Sequence, residues 1–340
     1  MRASLPSIPI SYIPFLSFVV MRSSCVRSFQ ALHSPTRARA SPALQHQAQP
    51  PTPLRQLHTT SPARSAMTSA MLNAVVTSPT TFSAQPSDAK DKAHHNKNGV
   101  GFVNPWPSYR DWTPLSIMWT MMKYRFNGKW NTPDTTPPTV PVRRPEFLPS
   151  RETRKLRATW LGHACYYVEF PGGFRVLFDP VFTARCSPFS FMGPKRYTEM
   201  PCQIEDIPTI DAVIISHSHY DHLSYPTVLK IAEKHKNAHF FVPLGNKAWF
   251  DKIGVKNATE LDWWEEKTIT LSAKKEGPKV EDSGSEAEPA KGQEDIVATI
   301  GSLPCQHTSA RTPFDKAHTL WSSWSVASGG KKVWFGGDTG

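Results

Sequence analysis

Four side chains able to hold a metal ion fall within six residues in His217-Ser218-His219-Tyr220-Asp221-His222, and this run constrains the chain more than any other. Ahead of it lies Ala212-Val213-Ile214-Ile215, an unbroken apolar run of the kind that forms a strand buried on both faces. Behind it, Pro226 to Lys236 reads as a helix. Neither helix nor strand periodicity puts all four side chains on one side, so they converge only if the backbone turns at the mouth of the strand. His217 and His219 can then face one ion, and Asp221 with His222 a second. Imidazole and carboxylate suit zinc and, with less preference, iron or manganese. A lone histidine would be read as a satisfied core or surface residue; ligands at this density are read as a metal site.

The surroundings have the texture of an α/β layered fold. Ala158 to Leu161, Cys165 to Phe170 and Phe174 to Phe178 read as strands, the last two joined by Pro171-Gly172-Gly173 as a hairpin. His239 to Val242, Thr268 to Leu271, Ile296 to Ile300 and Lys332 to Phe335 complete the strand candidates. The segment 273–295 is polar and almost without apolar residues, which predicts a disordered insertion lengthening a hairpin or crossover. Neither GxSxG nor a CGSC-like string occurs, so no protein nucleophile is indicated. Five cysteines without a CxxC pair argue against a disulfide scaffold or a thiolate zinc site, and a reducing compartment is the simpler assumption.

Strand, HxHxDH, helix resembles the signature of the metallo-β-lactamase fold superfamily. Within it, Trp160-Leu161-Gly162-His163-Ala164, Phe178-Asp179-Pro180-Val181-Phe182, Arg185-Cys186-Ser187-Pro188, Gly193-Pro194-Lys195-Arg196-Tyr197, Gln306-His307, Trp324-Ser325-Val326 and Gly336-Gly337-Asp338-Thr339-Gly340 are similar to the N-acyl-phosphatidylethanolamine-hydrolysing phospholipase D family, over about residues 100–340. The resemblance implies an αββα sandwich and a site for two Zn2+ ions. His217, His219 and His307 would hold the first, Asp221 and His222 the second, and Asp338 would bridge both. Asp221 and Asp338 would then serve catalysis through the ions, by water attack on a phosphodiester. Asp179 would accept a hydrogen bond from a ligand histidine or cap a turn; Tyr220 would touch the phosphate or pack; His163 matches a motif residue that would otherwise read as a core histidine.

The family pattern has one more histidine well beyond the position of Asp338, so the C-terminal part of the domain is expected to be missing here, with an exposed sheet edge and strand Lys332 to Phe335 uncovered on its buried face. Thr308 stands where an aromatic residue is common in the family, which alters the expected pocket wall. A truncated, non-catalytic remnant is one alternative, and a hydrolase of a soluble phosphodiester or lactone is another.

The formal charge of +11 looks like a nucleic-acid signal until it is located. Residues 1–87 carry seven of the 39 basic residues and no acid, leaving 32 basic against 28 acidic residues, so no nucleic-acid partner is expected. An acid-free leader rich in Arg, Ser, Ala and Pro has the composition of a mitochondrial transit peptide, competing with a disordered basic tail or a secretory signal over Ile8 to Val20. The organisation read from composition is a disordered leader over 1–100, an aromatic segment and Pro-rich linker over 101–150, and the domain over 151–340. Thr113-Pro114 predicts the start of a helix on which Leu115, Met118, Trp119, Met122 and Phe126 share a face. That face packs on the core in one reading and meets lipid in the other, with Trp119 and Met122 as substrate-side anchors. No apolar run reaches the ~18 residues of a transmembrane helix. The partners expected are a phospholipid substrate and a membrane surface, to which the protein would be peripheral, with homodimer formation left open.

Overall fold

The computed structural model describes residues 18–21, 72–83, 85–91, 93–111, 113–128, 141–273 and 295–339. Trp112, Trp130, the linker over 129–140, the insertion over 274–294 and most of the leader lie outside the described residues. Where the leader is described, the expectation of disorder over 1–100 does not hold, since Phe18–Met21 and Leu72–Thr77 are strands and His94 and His95 bond to Asp262. In chain order the elements are β1 (Phe18–Met21), β2 (Leu72–Thr77), α1 (Pro114–Phe126), β3 (Arg157–Trp160), β4 (Tyr166–Glu169), β5 (Arg175–Phe178), β6 (Ala212–Ile214), α2 (Tyr225–Lys234), β7 (His239–Pro243), α3 (Lys247–Lys252), β8 (Ala258–Leu261), β9 (Glu266–Ala273), β10 (Ile296–Leu303), β11 (Ser323–Ser328) and β12 (Lys331–Phe335).

They form two six-stranded sheets, in the orders β1-β12-β11-β10-β9-β2 and β3-β4-β5-β6-β7-β8. The first is antiparallel throughout. The second is antiparallel from β3 to β5 and parallel from β5 to β8. Val176, Phe178, Ile214 and Phe241 from the second sheet meet Ile269, Ile300, Trp324, Val326 and Phe335 from the first in the core between them. On the other face of the second sheet, Leu177, Val213, Phe240 and Val242 pack with Val228 and Ile231 of α2 and Phe250 of α3. Burial on both faces is why β5, β6 and β7 read as continuous apolar runs rather than as alternation. The first sheet turns Val75 and Val297 outward, each about half exposed.

Three further expectations change. Val333 and Phe335 of β12 are buried, with Phe335 4.7 Å from the Phe178 ring, so the inner face of this strand is covered. The outer edge of β12 is not bare either, since β1 pairs with it antiparallel. Third, α1 does not pack on the core: Leu115, Trp119 and Phe126 are each more than 70% exposed, and Met118 and Met122 about half. The predicted cap is present, with the Thr113 hydroxyl accepting from Ser116 N. The helix therefore forms for the local reasons its sequence shows, without a tertiary face to bury.

Candidate metal centre

The candidate ligand residues gather at one edge of the sandwich, where β5 and β6 end and the chain leaves β10 and β12. Two bonds tie the sheets together there: Ser322 N donates to Ser216 O at 2.9 Å, and the Trp324 indole to Ile215 O at 3.0 Å. Asp179 follows β5 directly, in the left-handed region at φ 39°, a strained conformation for a residue with a side chain. Its fully buried carboxylate accepts from Ser216 N (2.7 Å), from the Ser216 hydroxyl (2.6 Å) and from His222 Nδ1 (2.6 Å). Asp179 thus orients a histidine of the motif. The Ser216 hydroxyl also lies 2.8 Å from His217 Nδ1, so one buried anchor positions both ends of the loop.

Three imidazoles converge in the first group. His217 Nε2 lies 2.7 Å from His219 Nδ1, and His307 Nε2 lies 3.1 Å from the first and 3.3 Å from the second. Burial and then the neighbouring imidazoles hold His217 well below the ordinary histidine range. Burial takes His307 down to about 4 and also lowers His219, in both cases against nearby carboxylates. The three rings are therefore neutral near pH 7, with lone pairs pooled in a buried space, which is the electronic requirement of a divalent cation.

The second group faces it. His222 Nε2 is buried and points at Asp338 Oδ2, 3.2 Å away, with Asp221 Oδ2 at 3.7 Å. A buried imidazole nitrogen facing two carboxylates is a donor set that fits a metal ion, and here His222 pairs with Asp338. Asp221 also accepts from His163 Nε2 at 3.0 Å, which brings His163 to the centre. Burial would raise the Asp221 carboxyl, but the His163 hydrogen bond and His222 hold it far below the usual range; Asp338 is lowered in the same way, chiefly by His222. Asp338 Oδ2 lies 4.0 Å from His307 Nε2, so this carboxylate stands between the two groups. It can do so because Gly337, at φ +59°, passes so close to Ser216 that a Cβ there would sit 2.6 Å from the serine Cβ.

The remaining candidates separate. The Tyr220 ring lies under the Arg311 guanidinium at 4.2 Å, a packing contact. Trp119 and Met122 stand exposed on α1, outside the donor cluster. Sequence reasoning passed over Arg311, whose Nη1 donates to Ser218 O (2.8 Å) and Leu223 O (2.9 Å) and so clamps the motif loop. No motif announces Arg311, because its partners are backbone carbonyls far away in sequence. Asn104, also passed over, donates its amide to His307 O and ties the segment before α1 to this centre. Tyr109 hydrogen-bonds with Thr308, and Lys316 pairs with Asp111, in the same junction.

Residues 174–340 match the model of the Beta-lactamase superfamily domain. A protein of Caenorhabditis elegans named N-acyl-phosphatidylethanolamine-hydrolyzing phospholipase D 1 is 33% identical over 275 residues, covering 77% of this chain and 69% of that protein. A Saccharomyces cerevisiae protein named N-acyl-phosphatidylethanolamine-hydrolyzing phospholipase D, mitochondrial, is 33% identical over 54% of this chain and 34% of its own length. A Koribacter versatilis protein named as a UPF0173 metal-dependent hydrolase is 34% identical over 32% of this chain and 40% of its own. The chain thus spans between about a third and somewhat over two thirds of these relatives.

Proposed function

The chain belongs to the N-acyl-phosphatidylethanolamine-hydrolysing phospholipase D family of the β-lactamase superfamily, and on that premise we propose that it is a zinc-dependent phosphodiesterase. Its substrate in this reading is N-acyl-phosphatidylethanolamine in a membrane, cleaved by water to an N-acylethanolamine and phosphatidic acid. The observation that carries the reading is the convergence of neutral His217, His219 and His307 opposite His222, Asp221 and Asp338. The first three would hold one ion, Asp221 and His222 a second, with Asp338 shared. Bound divalent ions supply Lewis acidity, which makes water nucleophilic at neutral pH and offsets charge on the phosphodiester oxygens.

The chain's own residues do the rest. Asp179 holds the His222 ring by Nδ1 and aims Nε2 at the acidic groups, where it would ligate an ion on losing its proton. Arg311 fixes the loop between Ser218 and Leu223 on which three of the ligands sit. Burial of His217 and His222 keeps bulk water from competing for their nitrogens.

Support for a lipid substrate comes from the segment leading away from the centre. Asn104, Tyr109 and Asp111 bind it to the stretch 307–316, and α1 starts at Pro114 and leaves Leu115, Met118, Trp119, Met122 and Phe126 in the open. Each such side chain contributes roughly 1.5–3 kcal/mol on full burial, so several inserted together suffice for peripheral attachment to a bilayer. No described helix is long and apolar enough to cross a membrane. The acid-free leader and the mitochondrial relative in yeast support a mitochondrial location.

The experiment is product analysis with the zinc-loaded chain, comparing vesicles containing N-acyl-phosphatidylethanolamine with a soluble phosphodiester. Release of N-acylethanolamine together with phosphatidic acid is expected. Turnover of the soluble ester alone would leave the hydrolase and remove the lipid substrate.

A further inference from the structure

A second group of metal-capable side chains lies outside the centre already described: His94, His95 and Asp262. The two histidines are 167 and 168 residues away from the aspartate in sequence, yet each ring reaches one of its oxygens. His94 Nε2 lies 2.6 Å from Asp262 Oδ1, and His95 Nε2 lies 2.6 Å from Oδ2. Adjacent side chains on an extended backbone ordinarily diverge. Here a tight reversal over 96–101 overrides that tendency, with Val103 N donating to His94 O (2.8 Å) and Asn96 N to Gly101 O (3.1 Å).

The group is held from every side. The His94 ring stacks on Trp263 at 4.1 Å and lies 6.2 Å from Phe102, while His95 meets Phe102 edge-on at 5.2 Å. The Asp262 carboxylate also accepts from Trp263 N at 2.7 Å, and Asp262 N donates to Glu265 at 2.8 Å, which fixes the turn after β8. His94 is buried, whereas the His95 side chain is about half exposed. The donors therefore have a dry floor and a side open to water.

We propose that His94, His95 and Asp262 form a third metal site, for a divalent ion of the zinc, nickel or copper class. Two imidazole nitrogens and a carboxylate able to use both oxygens match the ligand preferences of these ions, and the open side admits water as a further ligand. The imidazoles ligate through Nε2 as neutral rings, so the proton on each Nε2 passes to Nδ1 or is released to solvent as the ion binds. The ion joins the segment 93–111 to the turn between β8 and β9. Through Asn104 it steadies the backbone of His307 without touching the reacting groups.

The test is equilibrium dialysis of the full chain against Zn2+ with elemental analysis, alongside His95→Gln and Asp262→Asn. One equivalent less metal is expected in each variant, whatever the content of the other centre. Equal content in all three would overturn the site and leave a hydrogen-bonded clasp. A second variant guards against misfolding: His95→Glu sets two carboxylates against each other, so it should melt below the parent without zinc and recover when zinc is added. Failure of zinc to raise its melting temperature more than the parent's would count equally against the proposal.

Discussion

His222 Nδ1 lies 2.6 Å from Asp179 Oδ2, with both side chains fully buried. Burial alone would lower the histidine pKa, yet Asp179 and then Asp338 hold it well above the ordinary value. The ring orientation is thereby fixed: Nδ1–H is held by Asp179, and Nε2 faces the acidic groups, where a bound cation would take the place of its proton. Asp179→Asn should therefore lose roughly 10–100-fold in affinity for the ion at His222. Metal titration checks it, and an unchanged affinity would reduce Asp179 to a turn residue.

Arg311 acts on the loop rather than on substrate. Its two hydrogen bonds to Ser218 and Leu223 carbonyls, and its place between Tyr220 and the Trp249 ring at 5.2 Å, hold the motif in one conformation. Replacement by Ala should cost about 1–3 kcal/mol in stability by leaving carbonyls unpaired. Metal affinity should fall with it, and Arg311→Lys should recover only part. Thermal melts and metal titration separate the two effects.

Gly337→Ala is a probe of Asp338 placement. A methyl group there meets Ser216 at 2.6 Å in a backbone region that side chains avoid, so a cost of about 1–3 kcal/mol is expected at this position. The loop carrying Asp338 has to move, so hydrolysis should fall further than the melting temperature suggests. Activity and calorimetry on the same preparation decide it.

These cases mark what was legible in the sequence. The six-residue motif and its flanking strand and helix were readable because their chemistry and apolar runs are local: β6 and α2 fall within a residue or two of their expected bounds. The two strands flanking the insertion were readable for the same reason, whereas their antiparallel pairing was not, since a hairpin and a crossover fit the sequence equally. What stayed hidden depends on distant partners. β2 alternates Leu72, Ala74 and Val76 inward but lies in a leader whose composition reads as disordered, and it forms against β9, while α3 is only six residues long. Arg311 and Asn104 bond to carbonyls, which leave no mark in composition. The exposure of α1 could not be read from its spacing, since an apolar stripe is the same whether it meets core, lipid or water.

His239 supplies a pH prediction away from the metal centre. Burial, reinforced by Lys247, lowers its pKa from 6.5 to about 4, and its Nε2 lies 2.8 Å from the Thr259 hydroxyl. The unfolded chain binds this proton more readily than the folded one, so the stabilisation is complete above pH ~6.5 and is lost as pH falls toward 4. The loss reaches about 3 kcal/mol at most. His239→Gln should flatten this part of the stability profile, as measured by denaturant unfolding at pH 4.5 and pH 7.5.

The lipid reading makes its own demand on α1. Trp119→Asp with Met122→Asp changes two exposed side chains, so metal content and melting temperature should stay put. Binding to phospholipid vesicles should drop at least tenfold, given roughly 1.5–3 kcal/mol per fully buried anchor. Vesicle sedimentation measures this, and unchanged binding would remove the lipid role of the helix.

The central claim is that the two donor groups hold two ions with Asp338 between them. The most direct measurement is anomalous diffraction at the zinc edge from crystals of the zinc-loaded chain. The account predicts one peak among His217, His219 and His307, and a second beside Asp221 and His222, with Asp338 contacting both. A single peak at this centre, or none at saturating zinc, would contradict it.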